Sequence, residues 1–137
     1  MPTYRMTVEY EGTKFSGWQV QARGRTVQGV LRDAVRRLTR EADLALHGAG
    51  RTDAGVHALG QVASFACARP LRPGKVLHEL DDLLPADVAV RDLRQVGDGF
   101  HARHDASARS YRYQVSRRRS AFGKRVTWWV RPRLDLD

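Results

Sequence analysis

Eleven residues, Gly48-Ala49-Gly50-Arg51-Thr52-Asp53-Ala54-Gly55-Val56-His57-Ala58, set an arginine, an aspartate and a histidine among three glycines. Glycine lets a backbone turn sharply and approach a ligand closely. A guanidinium beside a carboxylate favours the ionised acid, so Arg51 two residues before Asp53 makes Asp53 a candidate nucleophile or base. The same pair also reads as a structural ion pair that fixes a tight loop.

Other chemistries lack their parts. Gly48-Ala49-Gly50 begins like a dinucleotide loop, but Asp53 stands where the third glycine belongs, and no phosphate-binding lysine follows. His101 and His104 are three residues apart, yet no cysteine or acidic cluster completes a metal site. His47 and His57 flank the loop and read as core or loop residues. There is no Gly-x-Ser-x-Gly elbow, and the lone Cys67 has no local base. Metal-dependent and covalent serine or cysteine chemistry are therefore not expected, and no cofactor is expected either.

Charge supplies the next clue. Residues 1–102 carry 14 basic and 12 acidic side chains, whereas residues 103–133 carry 10 basic and 1 acidic. So uneven a field suggests a polyanion, with nucleic acid the leading candidate and a merely solvated basic face the plain alternative. Length and apolar content fit one folded domain. No apolar run is long enough to cross a bilayer, and no hydrophobic export signal opens the chain. A single thiol suits a reducing compartment, so the expected location is cytoplasmic.

The elements around the loop follow from periodicity. Tyr4, Met6, Val8 and Tyr10 alternate with polar residues and predict a strand over 3–10. Phe15 and Trp18 sit in the following turn-rich stretch and are expected to dock on the core; Trp18 is also a candidate for base stacking. Thr26 is a helix cap, and Val27, Val30, Leu31, Ala34, Val35 and Leu38 mark a helix to about Glu41. A short strand is predicted at 44–46, a longer, central strand over 59–67, a helix over about 73–83, and a strand from Val88 to Leu93. Further strands are predicted at 107–117 and 126–130. The first six elements read as β-α-β-β-α-β. That order predicts an α+β fold built on a ferredoxin-like, split βαβ unit, with a mixed, mainly antiparallel sheet and helices on one face.

Several short blocks then occur in a fixed order: Tyr10-Glu11-Gly12-Thr13, Gly17-Trp18-Gln19-x-Gln21, Thr26-Val27-Gln28-Gly29, Gly48 to Ala58, Leu83-Leu84-Pro85, Phe100-His101-Ala102-Arg103 and Arg109-Ser110-Tyr111-Arg112-Tyr113. Taken together, over essentially the whole chain, the sequence resembles the tRNA pseudouridine synthase A family. The resemblance implies an isomerase that turns uridine into pseudouridine at positions 38 to 40 of the tRNA anticodon stem-loop, without metal or organic cofactor, on a flipped-out base. It implies a homodimer gripping tRNA, no membrane association, Asp53 as the catalytic carboxylate, and Arg51 and Tyr111 as substrate-binding residues. The carboxylate would either attack C1′ or remove a sugar proton. Arg51 would pair with Asp53 and fill the hole left by the base; Tyr111 would stack on uracil and handle the C5 proton. A glycosidase would set two carboxylates about the bond; this loop offers one.

Family chains are about double this length, so residues 1–137 correspond to an N-terminal, catalytic-aspartate half whose C-terminal companion lies outside this chain. Glu11 replaces a usual aspartate, and His104-Asp105 replace a usual aromatic-serine pair. Two functions stay open on these residues: an active synthase, and a tRNA-binding module without activity.

Overall fold

A computed structural model describes residues 1–136. Its central strand, β1 (Thr3–Tyr10), follows from strict alternation. Tyr4, Met6, Val8 and Tyr10 are buried while Arg5, Thr7 and Glu9 are half-exposed. β1 pairs antiparallel with β3 (Ala58–Ala66) on one side and β4 (Val88–Val96) on the other. β2 (Leu46–Gly48) adds antiparallel to β3, giving the order β2-β3-β1-β4. The two crossovers are α1 (Val27–Thr39) and α2 (Pro73–Leu83), as the split βαβ reading expects.

Both helices are specified locally. Thr26 is the cap of α1, its hydroxyl accepting from the Gly29 amide at 3.2 Å, and Arg40 closes the helix in the left-handed region. Pro73 starts α2, where a missing amide costs nothing. Val27, Leu31 and Val35 of α1 and Val76 and Leu80 of α2 bury against Tyr4, Met6, Val8 and Phe65 in one core. Each such side chain contributes about 1.5–3 kcal/mol by leaving water. Phe15 and Trp18 also dock on this core, at 4% and 2% exposure. Base stacking on a free Trp18 ring is thereby excluded. Cys67 is fully buried.

The turn 100–105 packs against β3, laying Ala102 over Ser64, whose hydroxyl accepts the Ala102 amide at 2.9 Å.

The chain departs from expectation after residue 105. The alternation at 107–117 does not make a strand of that length. Only Val115–Ser116 (β5) is extended, paired in parallel with Trp128–Trp129 (β6). A strand needs a partner for its backbone groups as well as an alternating pattern. This run is hydrogen-bonded to neither edge of the four-stranded sheet. The remaining differences are small shifts of boundary: α1 stops at Thr39, β2 begins at Leu46, and β4 continues to Val96.

Candidate active site

The Gly48–Ala58 loop leaves β2 and returns into β3, held on three sides. From β3, the Val62 carbonyl accepts the Ala49 amide at 2.8 Å, and Gln61 donates its side-chain amide to the Gly50 carbonyl at 2.7 Å. From the stretch after β1, the Trp18 amide donates to the Thr52 carbonyl at 3.0 Å, and the Phe15 carbonyl accepts the Gly55 amide at 3.3 Å. The Tyr10 hydroxyl lies 2.8 Å from that of Thr52. Burial pushes the Tyr10 phenol above its ordinary value, against the opposing hydrogen bonds of Thr52 and Gln61.

Two glycines make this backing possible. A Cβ on Gly17, which sits at φ +82°, would fall 2.6 Å from the Thr52 carbonyl oxygen. One on Gly12 would fall 2.0 Å from that of Val56. Main chain therefore lies on main chain here, and the loop is fixed by close approach as well as by hydrogen bonds.

His57 ties the loop to two other segments. Its Nδ1 accepts the Gly12 amide at 2.8 Å, and its Nε2 donates to the Arg125 carbonyl at 2.5 Å. Both contacts agree on the Nε2–H tautomer. Beside it, the Thr13 hydroxyl and amide hold the Glu11 carboxyl below its ordinary value.

Asp53 opens a turn that closes with the Val56 amide donating to its carbonyl at 3.2 Å, with Gly55 at φ +82°. The Asp53 side chain is exposed, as is that of Arg51. The expected Arg51–Asp53 ion pair does not form: neither side chain has a hydrogen-bond or ion-pair partner among the described residues. Two residues apart in non-helical backbone their Cα atoms stand about 6.5 Å apart, so contact needs converging side chains and does not follow from sequence spacing.

Arg51 and Tyr111 come together on the wall of an open cleft of about 540 Å³. It is lined by Trp18, Gln19 and Gln28, by the loop residues His47 to Arg51, and by His101, Arg103, His104, Arg109 and Tyr111. Asp53 is not among the residues lining it. The carboxylate thus stands at the loop turn beyond the cleft, while the cation and the ring proposed for substrate binding line it.

Arg109, to which the sequence assigned no role, holds the cleft together. Its Nε donates to the Ala49 carbonyl at 2.7 Å, and its stem crosses Gly50, where a Cβ would meet it at 3.1 Å. The Tyr111 hydroxyl lies over the same glycine. The only hint was position: Arg109 precedes Tyr111 by two in the alternating run. Gln28 was also missed as a brace; its amide donates to the Leu46 carbonyl and accepts from the Val20 amide.

No cluster of three or more metal-ligating side chains occurs among the described residues, and no helix is long and apolar enough to cross a membrane.

Comparison with known proteins places these features. A family described as tRNA pseudouridine synthase matches residues 6–105. The tRNA pseudouridine synthase A of Bradyrhizobium sp. (strain BTAi1) is 46% identical over 140 residues, covering 100% of this chain and 57% of that protein. That of Geobacter sp. (strain M21) is 42% identical over 139 residues, covering 100% and 56%. That of Agrobacterium fabrum (strain C58) is 46% identical over 142 residues, covering 100% and 53%. The chain spans little more than half the length of these relatives.

Proposed function

The chain belongs to the tRNA pseudouridine synthase family, and from that premise we propose that it carries the catalytic-carboxylate wall of an enzyme that isomerises uridine to pseudouridine. The family resemblance extends the proposal to the anticodon stem-loop of tRNA, at positions 38 to 40, as substrate and to a cytoplasmic homodimer as the working form. The observation that carries the reading is the loop itself: Asp53 exposed on a turn fixed from β3, from residues 12–18 and from His57, beside a cleft walled by Arg51 and Tyr111.

Uracil inside a stem is out of reach of any side chain, so the nucleotide must leave the stack. Asp53, without a side-chain partner among the described residues, either attacks C1′ or takes a sugar proton; in both cases the N1–C1′ bond breaks. The base then turns, C5 bonds to C1′, and the C5 proton is lost. Tyr111, with an exposed ring and a hydroxyl over Gly50, stacks on uracil and handles that proton. Arg51 points its charge into the vacated stack. The rigid backing fixes the main chain that carries Asp53, which limits where its carboxylate can reach, as orientation-dependent catalysis requires.

These residues make up one side of a pocket, in the N-terminal half of a longer family architecture. The length comparison supports that division. A second reading, a tRNA-binding module without activity, is favoured by one specific observation: the cleft is open and Asp53 stands outside it. Release of tritium from C5-labelled uridine in tRNA decides between them. Release that disappears in Asp53→Asn establishes the synthase. Binding without release establishes the module, and release retained in Asp53→Asn removes that carboxylate from the mechanism.

A further inference from the structure

Three histidines that the proposed reaction leaves unused form a stack on the cleft wall. His47 comes from β2, and His101 and His104 from the turn after β4. The His47 and His101 ring centroids are 4.2 Å apart, those of His101 and His104 4.1 Å. Resting on the RNA reading above, we propose that this stack is a phosphodiester subsite, in which the imidazoles take up protons as an RNA backbone phosphate settles beside Arg103 and Arg109.

The arrangement argues against a metal site. The rings present faces to one another, tilted by 31° and 35°, so their nitrogens do not converge. The His101 Nδ1 is already occupied, accepting the amides of Arg103 at 3.2 Å and His104 at 3.4 Å. That leaves Nε2–H as the polar edge of the central ring.

The charges facing His101 are almost all of one sign. Its own turn contributes Arg103, His104 and Asp105. β2 contributes His47, and the segment after the turn contributes Arg109, whose guanidinium reaches the Arg103 carbonyl at 3.5 Å. Arg51 lines the same cleft. Among the described residues, Asp105 is the acid that acts on it, and its Oδ2 accepts the His101 amide at 2.7 Å. Burial, then His47 and His104, hold the His101 imidazole below its ordinary value.

At His101 an added proton is opposed by burial and by the imidazoles stacked on either side. An anion entering the cleft reverses that balance and raises proton affinity across the stack. By linkage, affinity for the anion rises as pH falls through the histidine range.

The test is binding of a fluorescent anticodon stem-loop hairpin by the chain, at about pH 6 and about pH 8 and constant ionic strength, with about a fivefold tightening expected at the lower pH. In His47→Gln/His104→Gln, both exposed positions, that ratio falls to near one. Proton uptake on binding, read from imidazole NMR titrations with and without the hairpin, is expected in the parent and absent in the variant. Equal pH dependence in both proteins overturns the subsite and leaves RNA binding standing. No hairpin binding at either pH overturns the subsite and the RNA reading together. pH-linked binding without pseudouridine formation supports the subsite while counting against the synthase.

Discussion

Residues 1–105 and residues 106–136 are two kinds of chain. In the first, alternation and helical periodicity are converted into a shared core, with Tyr4, Met6, Val8, Leu31 and Leu80 fully buried. In the second, Tyr113, Phe122 and Trp128 are 90%, 91% and 69% exposed, and the strands are two residues long. Charge divides the same way: most of the basic excess lies in 103–133. The body holds the geometry of the loop, and the tail reaches back to finish the cleft. Arg109 and Tyr111 cross Gly50, and the Arg125 carbonyl accepts a hydrogen bond from His57 Nε2. The candidate site therefore lies on the seam between a unit with a shared buried core and a cationic segment with little buried surface.

The sharpest test of that division separates chemistry from stability. Asp53→Asn, at an exposed side chain without partners, is expected to cost on the order of a thousandfold in pseudouridine formation, or about 4 kcal/mol of barrier. Its unfolding curve is expected to match the parent's. Loss of stability instead would make Asp53 part of the scaffold.

Next comes the core of the body. Leu31→Ala is expected to destabilise by about 3 kcal/mol in urea denaturation, as removal of a fully buried leucine does. Gly17→Ala follows at about 2 kcal/mol, because it combines a left-handed backbone with an overlap on the Thr52 carbonyl. That variant is also expected to lower activity, since the overlap displaces the loop. Full activity at reduced stability would mean that the backing does not position Asp53.

Asp87 gives a smaller effect with a pH signature. Arg25 donates to both its oxygens at 2.8 Å, stacked over Phe15 at 4.0 Å, and the pair joins the loop before α1 to the start of β4. Arg25 holds the Asp87 carboxyl below its ordinary value of 3.8. A lowered carboxylate adds stability above its unfolded value and loses it as pH falls through the folded one. Asp87→Asn is thus expected to cost about 1 kcal/mol at neutral pH, partial solvent screening included. The difference from the parent should close as the medium is acidified below the ordinary aspartate range. The smallest effect belongs to the tail: Phe122→Ser is expected to change stability by less than about 0.5 kcal/mol. A large loss there would show that the tail is packed in solution.

Legibility follows the same seam. Tyr4 to Tyr10 and Val27 to Leu38 could be read because burying one face imposes a period on neighbouring residues, and α2 was bounded by Pro73 and Pro85. The run 107–117 carried the same alternation and misled, because only Val115–Ser116 of it found a partner strand. Arg51 and Asp53 suggested a pair because they are close in sequence, yet side-chain contact depends on backbone direction.

By itself the sequence determined the six-element α+β unit, the family, the basic end of the chain and the identity of the candidate carboxylate, since local periods and short ordered motifs record these directly. Only the tertiary structure decided that Arg51 and Tyr111 share a cleft which Asp53 does not line, that Arg109 braces it, and that His47 stacks on His101. Those relations join residues brought side by side by sheet register and turn packing, and no local pattern of residue types encodes them.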